Sequence, residues 1–271
     1  MDDRVPRLRI GPYLFVRSIE PGRSADRWLA VHERDDTTFV VHRFRVPRDR
    51  VEQRRFVGAV EALSELNHPH VLPIVQSSLG SAWAGNAWVV TPYTGNADGL
   101  VTLERLARDK GGRVPPNEVE RAAVQLLEAV EHCHALGHAH GSIQADEVLV
   151  DPRGSLSIEL YGLGRLISGG TPSAAGREVR VDEVRSIISL AYRLLTGLTA
   201  DEPRIPAARL VPKLARGFEE WLERGLDPVH GYSTAAEALA ALGGVELAGD
   251  APGISPVRVV IGRVRQALGS I

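Results

Sequence analysis

The chain has 271 residues, 44% of them hydrophobic, with 32 basic and 34 acidic side chains, a formal net charge of −2 and a pI near 6.5. That balance removes the general electrostatic grounds for binding nucleic acid or an acidic membrane, while the length and apolar content suit one large core or two lobes. The single cysteine, Cys133, excludes an intrachain disulfide framework and fits a reducing compartment; with no long apolar run and no apolar leader after Met1-Asp2-Asp3-Arg4, a cytoplasmic location without a membrane segment is the expectation.

The first ninety or so residues read as strands. Tyr13-Leu14-Phe15-Val16, Arg27-Trp28-Leu29-Ala30-Val31 and Thr38-Phe39-Val40-Val41 are short apolar or alternating runs separated by Gly, Pro and Asp turns. One helix interrupts them, from about Val51 to Leu66, with Phe56, Val60, Leu63 and Leu66 at helical spacing and a stop at His68-Pro69. After Tyr93 the period becomes helical: Val101 to Leu106, Pro116 to Leu136, Asp182 to Leu195 and Leu214 to Leu226, with Gly137 and Gly197 placed as C-terminal stops. Gly243 to Pro256 reads as a linker. The apolar and basic Val257 to Leu268, bearing Arg258, Arg263 and Arg265, reads as a packing extension on the large lobe, with a partner-binding segment as the alternative.

The run His140-Gly141-Ser142-Ile143-Gln144-Ala145-Asp146-Glu147 resembles the catalytic loop of protein kinases, H-R-D followed by four residues and N. In that family the Asp orients or deprotonates the acceptor hydroxyl and the Asn holds magnesium. Ser142 stands at the Asp position, Glu147 at the Asn position and Gly141 at that of the arginine between; a serine hydroxyl is no base near neutrality without a partner. Glu20-Pro21-Gly22-Arg23-Ser24-Ala25 is similar to the phosphate-covering G-x-G-x-x-G but keeps only Gly22. Val40-Val41-His42-Arg43 matches V-A-I-K and puts Arg43 at the lysine, while counting back from His68-Pro69 puts Ala59 at the lysine's helix glutamate. Leu160-Tyr161-Gly162 matches D-F-G; leucine cannot ligate a hard cation, and Glu159 is expected on the opposite side of a strand. Only about twenty residues, with no A-P-E, separate Leu160 from the helix near Asp182, so the activation segment is expected to be short, with Thr171 and Ser173 as exposed candidates for other regulation. Packing positions are kept better: Asp182-Glu183-Val184-Arg185-Ser186-Ile187 leading to Leu194-Leu195-Thr196-Gly197 resembles the family's large buried helix, with Asp182 or Glu183 as its helix-start carboxylate, and Leu226-Asp227-Pro228 to Glu237 resembles its last helices.

The resemblance covers roughly residues 9 to 243 and is to the bacterial Ser/Thr (Hanks-type) protein kinases. It implies an α+β, two-lobed fold: a strand-rich lobe with one main helix over 9–93, a mostly helical lobe over 94–243, then linker and extension over 244–271. With Arg43, Ala59, Ser142, Glu147 and Leu160 at the chemical positions, it further implies a degenerate member without catalytic residues, a pseudokinase serving a protein partner as scaffold or allosteric regulator. No cofactor or metal is expected, with weak ATP or magnesium binding left open, at degenerate cleft positions Gly22, Arg43, Thr91, Tyr93 and Leu160; a cleft filled by Leu160, Tyr161 and Arg43 is the accompanying expectation. The alternative is a nucleotide-binding enzyme, an atypical Ser/Thr kinase or other transferase, using Arg43 and Glu147 in altered roles. His132, His134, His138 and His140 with Cys133 are read as end-of-helix and loop residues before a metal site, because their spacing diverges on a helix. The Arg43 to Arg55 run is read as a solvated face before a nucleic-acid patch.

Overall fold

The computed structural model describes residues 8–44, 49–79, 87–97, 99–169 and 176–243. The smaller lobe is a six-stranded antiparallel sheet of β1 (Arg9–Ile10), β2 (Tyr13–Ile19), β3 (Asp26–His32), β4 (Thr38–Phe44), β5 (Gln76–Ser78) and β6 (Ala87–Pro92), in the order β1-β2-β3-β4-β6-β5. Its register sets Arg27 opposite His42 and Val41 opposite Val90. Side chains alternate along each strand. Val41 therefore joins Tyr13, Ala30, Trp88 and Val90 on the outer face, while Val40, His42 and Phe44 turn inward. Helix α1 (Arg50–Ser64) covers part of the inner face: the Asp49 side chain accepts from the Val51 amide at 2.8 Å, and Phe56, Ala59, Val60 and Leu63 are buried, with the Phe56 ring 5.5 Å from that of Phe44.

The larger lobe begins with α2 (Leu103–Asp109), capped by the Thr102 hydroxyl, and α3 (Pro116–Ala135). A two-stranded ribbon, β7 (Val148–Val150) with β8 (Leu156–Ile158), and the short α4 (Leu163–Ile167) follow. Then come α5 (Arg177–Thr196), α6 (Ala207–Leu210), α7 (Arg216–Leu226) and α8 (Ala235–Gly243). α5 is the axis of this lobe: Val184, Ile187, Ile188, Ala191, Leu194 and Leu195 pack against α3 and α7, and one apolar core runs from Phe44 to Leu242 through both lobes. It ends at Gly197, whose φ of 75° is the left-handed C-terminal stop expected for a glycine.

Main elements fall within a few residues of the sequence-based expectations, with three physical differences. α5 starts at Arg177, five residues before Asp182, because its first turn is exposed and polar and carries no apolar period. Glu183 thus lies two turns into the helix, not at its start. The β7–β8 ribbon and α4, of three, three and five residues, are too short for periodicity to register. Thr171, Ser173 and the segment 244–271 lie outside the described residues.

α7 meets α5 through Gly225, where a Cβ would sit 2.3 Å from Ile188 Cδ1 and 2.9 Å from its Cγ2. In an open helix Ala would be favoured over Gly by roughly 1 kcal/mol. Here Gly225→Ala is expected to destabilise by about 1–3 kcal/mol through overpacking, read as a lowered midpoint in urea unfolding. A raised midpoint would show that the two helices are not in close contact.

Candidate functional site

The loop between α3 and β7 is held by one carboxylate. Glu183, fully buried at the middle of the larger lobe, accepts the amides of His140 at 2.9 Å and Gly141 at 3.2 Å, pairs with His134 Nε2 at 3.1 Å, and takes the hydroxyl hydrogen of Tyr161. Burial and this carboxylate push the Tyr161 phenol well above its ordinary value, so it stays a donor. Ser186 Oγ accepts from the Ile143 amide at 3.0 Å, and Arg165 donates Nε and Nη2 to the Ala139 carbonyl at 3.1 and 2.8 Å. The chain passes close by at Gly162, where a Cβ would be 2.9 Å from that same carbonyl and φ is 66°; only glycine fits.

Above this floor, three side chains from different elements close the space between the lobes. Arg27 of β3 reaches down to the carboxylate of Glu159, just after β8, in an ion pair buried on both sides. His42 of β4 is 1% exposed, shares a hydrogen bond of 2.9 Å with Thr91 Oγ1 and lies 3.8 Å from Glu159 Oε1. Burial, reinforced by the Arg27 charge, lowers the His42 imidazole from 6.5 to about 3, so it is neutral at physiological pH. Burial likewise pushes the Glu159 carboxyl up while the Arg27 guanidinium pulls it back toward the charged form.

Toward the outside, a groove of about 430 Å³ runs between Gly22 to Asp26, Arg43 and Phe44 of the smaller lobe and Gly164, Ile167 and Ser168 of the larger, whereas the space beside the ion pair is small. One cavity of about 60 Å³ is lined by Gly22, His42, His140, Glu147, Glu159 and Arg165 among others, and a second of about 60 Å³ lies on the other side of Arg27, against Ile19, Leu100, Thr102 and Arg105. Sites that enclose a small molecule usually measure ~300–1,000 Å³, so neither holds a nucleotide with the lobes as they stand. In the first cavity His140 Nε2 is 3.8 Å from Glu147 Oε1, Arg23 Nη1 is 3.7 Å from Glu147 Oε2, and the Gln144 amide donates to Glu147 Oε2 at 3.1 Å.

The residues singled out from sequence divide accordingly. Glu147, Gly22 and Leu160 line the first cavity, and Thr91 faces the interior through His42. Tyr93 packs beside the apolar cluster of Val40, Leu72, Leu100 and Leu149. Ser142 instead accepts from Gln144 Nε2 at 2.8 Å and borders a separate groove of about 390 Å³ with Asp182, Arg185 and Asp201. Arg43 is on the outward side of β4, 3.4 Å from Asp26 and stacked over Trp28; strand alternation brings His42, one residue earlier, to the cleft. The expectation that Arg43 fills the inner cleft beside Leu160 and Tyr161 is therefore corrected: Arg43 borders the outer groove between the lobes, and Ala59 faces the core beside Phe56.

Glu159 also departs from expectation. β8 ends at Ile158 and Leu160 adopts φ of 47°, so strand alternation stops and Glu159 turns inward. Arg27 and Arg23 escaped sequence reading, although continuing the glycine pattern to G-x-G-x-x-G-x-V from Gly22 puts Arg27 where an apolar residue belongs. Magnesium does not fit: Leu160 offers no oxygen, the Glu147 carboxylate faces Arg23 and His140, and among the described residues no group of three or more His, Cys, Asp or Glu is arranged for a metal ion. Cys133 is buried, its thiol pushed up to about 12, and is no nucleophile.

The sequence profile described as the protein kinase domain matches residues 13–182, more than half of the chain. The chain belongs to the protein kinase family. In fold it is similar to the kinase domain of Mycobacterium tuberculosis PknI, with a TM-score of 0.67 and 18% identity over 88% of this chain and 97% of that one. It is 33% identical over 136 residues to CBL-interacting protein kinase 4 of Oryza sativa subsp. japonica, covering 46% of this chain and 29% of the rice protein. To Sucrose non-fermenting protein kinase 1 of Fusarium virguliforme it is 28% identical over 244 residues, covering 80% of this chain and 33% of the fungal protein. The chain thus spans about a third of the length of these relatives. The two-lobed kinase fold stands as expected from the sequence. The expectation that the chain is not an enzyme is overturned: it carries a protein kinase domain, and the relatives that match it are named as protein kinases.

Two outcomes follow from this geometry. Glu183→Ala strands four donors in a dry interior and is expected to destabilise by about 3 kcal/mol or more in urea unfolding; a loss below about 1 kcal/mol would mean that the loop is held by other contacts. Between pH 6.5 and about 3 the unfolded chain binds a proton at His42 that the folded chain refuses, so stability falls as pH falls through that window. His42→Gln should flatten that part of the profile of urea midpoint against pH; an unchanged slope would contradict the assignment.

Proposed function

We propose that the chain is an atypical phosphotransferase of the protein kinase family, which takes a nucleotide between its lobes and moves the acceptor proton through His140 and Glu147 rather than through position 142. The observation that carries this reading is the pairing of His140 Nε2 with Glu147 Oε1 at 3.8 Å on the wall of the interlobe cavity, while Ser142 faces a different groove. Histidine is the commonest general base, and the Glu147 carboxylate, 3.8 Å from Nε2, stabilises by its charge the imidazolium formed when the ring takes a proton. The acceptor would be a hydroxyl, the class that the resemblance to Ser/Thr kinases suggests.

In this reading His140 removes the hydroxyl proton as the oxygen attacks the terminal phosphorus, the bond from that phosphorus to the bridging oxygen breaks so that the nucleoside diphosphate leaves, and the Glu147 carboxylate offsets the positive charge on the ring. Arg23, on the hairpin between β2 and β3 and half exposed, lies over the same spot and faces the developing phosphate charge. No step is assigned to magnesium. Without the aspartate base and the metal ligands, turnover is expected to fall at least about a hundred-fold below the family's usual ~1–100 per second.

The test is transfer of labelled phosphate from ATP to a mixed protein acceptor, with chelator present. Glu147→Gln and His140→Asn, each checked for folding, should lower transfer by about a hundred- to ten-thousand-fold, and Ser142→Ala should leave it unchanged. Loss of transfer in Ser142→Ala, or full activity in Glu147→Gln, would overturn the assignment.

A further inference from the structure

Arg27 and Glu159 belong to opposite lobes, and their ion pair stands between two cavities: Arg27 walls one, and Glu159 walls the other. Three buried polar atoms at this spot have no hydrogen-bond partner: Arg27 Nε, Glu159 Oε1 and His42 Nδ1. Native interiors rarely leave such atoms unpaired, so a cluster of three marks a place built for a further polar group. The Gly22 hairpin lies directly against the guanidinium, where a Cβ at Gly22 would come within 2.8 Å of Nε. Beside the pair, Val40, Leu72, Leu100 and Leu149 pack into an apolar cluster with Ile19 and Tyr93 against it, and Ile19 and Leu100 reach the cavity that Arg27 walls.

We infer that Arg27 is the phosphate receptor of the cleft and that the Glu159 carboxylate holds its place as an internal competitor, which a phosphate-bearing ligand with a flat base must displace. The inference rests on the nucleotide reading above. A guanidinium offers a planar fork matched to either carboxylate or phosphate, so one anion can replace the other without reshaping the donor. With leucine at position 160 and histidine, neutral in the fold, at the inward position of β4, neither a metal ion nor a lysine is provided for phosphate charge, and Arg27 is the buried cation at hand. The exchange is near balance because a buried ion pair gains little net free energy once its desolvation is counted. Displacing Glu159 joins the two small cavities and parts the apolar cluster into a slot for a base.

Calorimetric titration of the full chain with ADP and with adenosine, in chelator, tests the exchange in wild type, Glu159→Gln and the double variant Arg27→Met/Glu159→Met. Glu159→Gln weakens the competitor and is expected to tighten ADP about tenfold. The double variant, which buries no unpaired charge and is expected to fold, should no longer prefer ADP to adenosine; if Glu159→Gln fails to fold, this comparison alone decides. Equal ADP affinity in wild type and Glu159→Gln, or a retained ADP preference in the double variant, would overturn the role of Arg27 and leave the nucleotide reading standing. No ADP binding by any of the three proteins would overturn both.

Discussion

The Glu183 carboxylate is the point on which the cleft depends. A helix interior offers no free backbone donors, so a fully buried carboxylate there must be satisfied from elsewhere, and the elsewhere is the functional loop: His140 and Gly141 amides, the His134 ring and the Tyr161 hydroxyl. Three of these donors come from segments with little regular structure of their own, and the fourth, His134, from the last turn of α3. One acceptor therefore fixes where the loop before β7 and the turn after β8 stand, and through them where His140, Glu147 and Glu159 point.

Above that anchored floor the lobes meet through charge rather than through apolar packing alone. An Arg–Glu pair with both partners about 95% buried is poorly paid in net stability, since desolvation offsets most of its attraction, yet losing one partner costs about 3–5 kcal/mol. Such a pair specifies a single closed arrangement and can be exchanged for an equivalent one with a ligand at small net cost. His42, held neutral beside it by burial and by Arg27, adds no competing charge. In the proposed reading the closed cleft and a nucleotide-bound one are two states of one set of groups, separated by the fate of one guanidinium.

Much of the fold was legible because it is written in apolar periodicity. Phe56, Val60 and Leu63 at helical spacing gave α1, and Val184 to Leu195 gave the buried part of α5. The site was legible only as a set of positions. Aligning four residues to V-A-I-K named Arg43, whereas the register, fixed by Val41 against Trp88 and Val90 outside and by Phe44 against Phe56 inside, turns His42 to the cleft. Glu159 escapes the alternation rule because β8 ends one residue before it, at a turn that the positive φ of Leu160 creates. The sequence signal for Arg27 is its place at an apolar position of the glycine pattern, which does not name its partner; Glu159 is 132 residues away, and only the folded chain brings the two together.

The most direct single measurement is a crystal structure of the full chain grown with ADP and no divalent cation. The account predicts the diphosphate on the Arg27 guanidinium, the Glu159 carboxylate released from it, and the base between Ile19, Val40 and Leu149, with Glu147 and His140 still paired on the cavity wall. ADP bound with the Arg27–Glu159 pair intact, or a cleft still closed at saturating ADP, would contradict it.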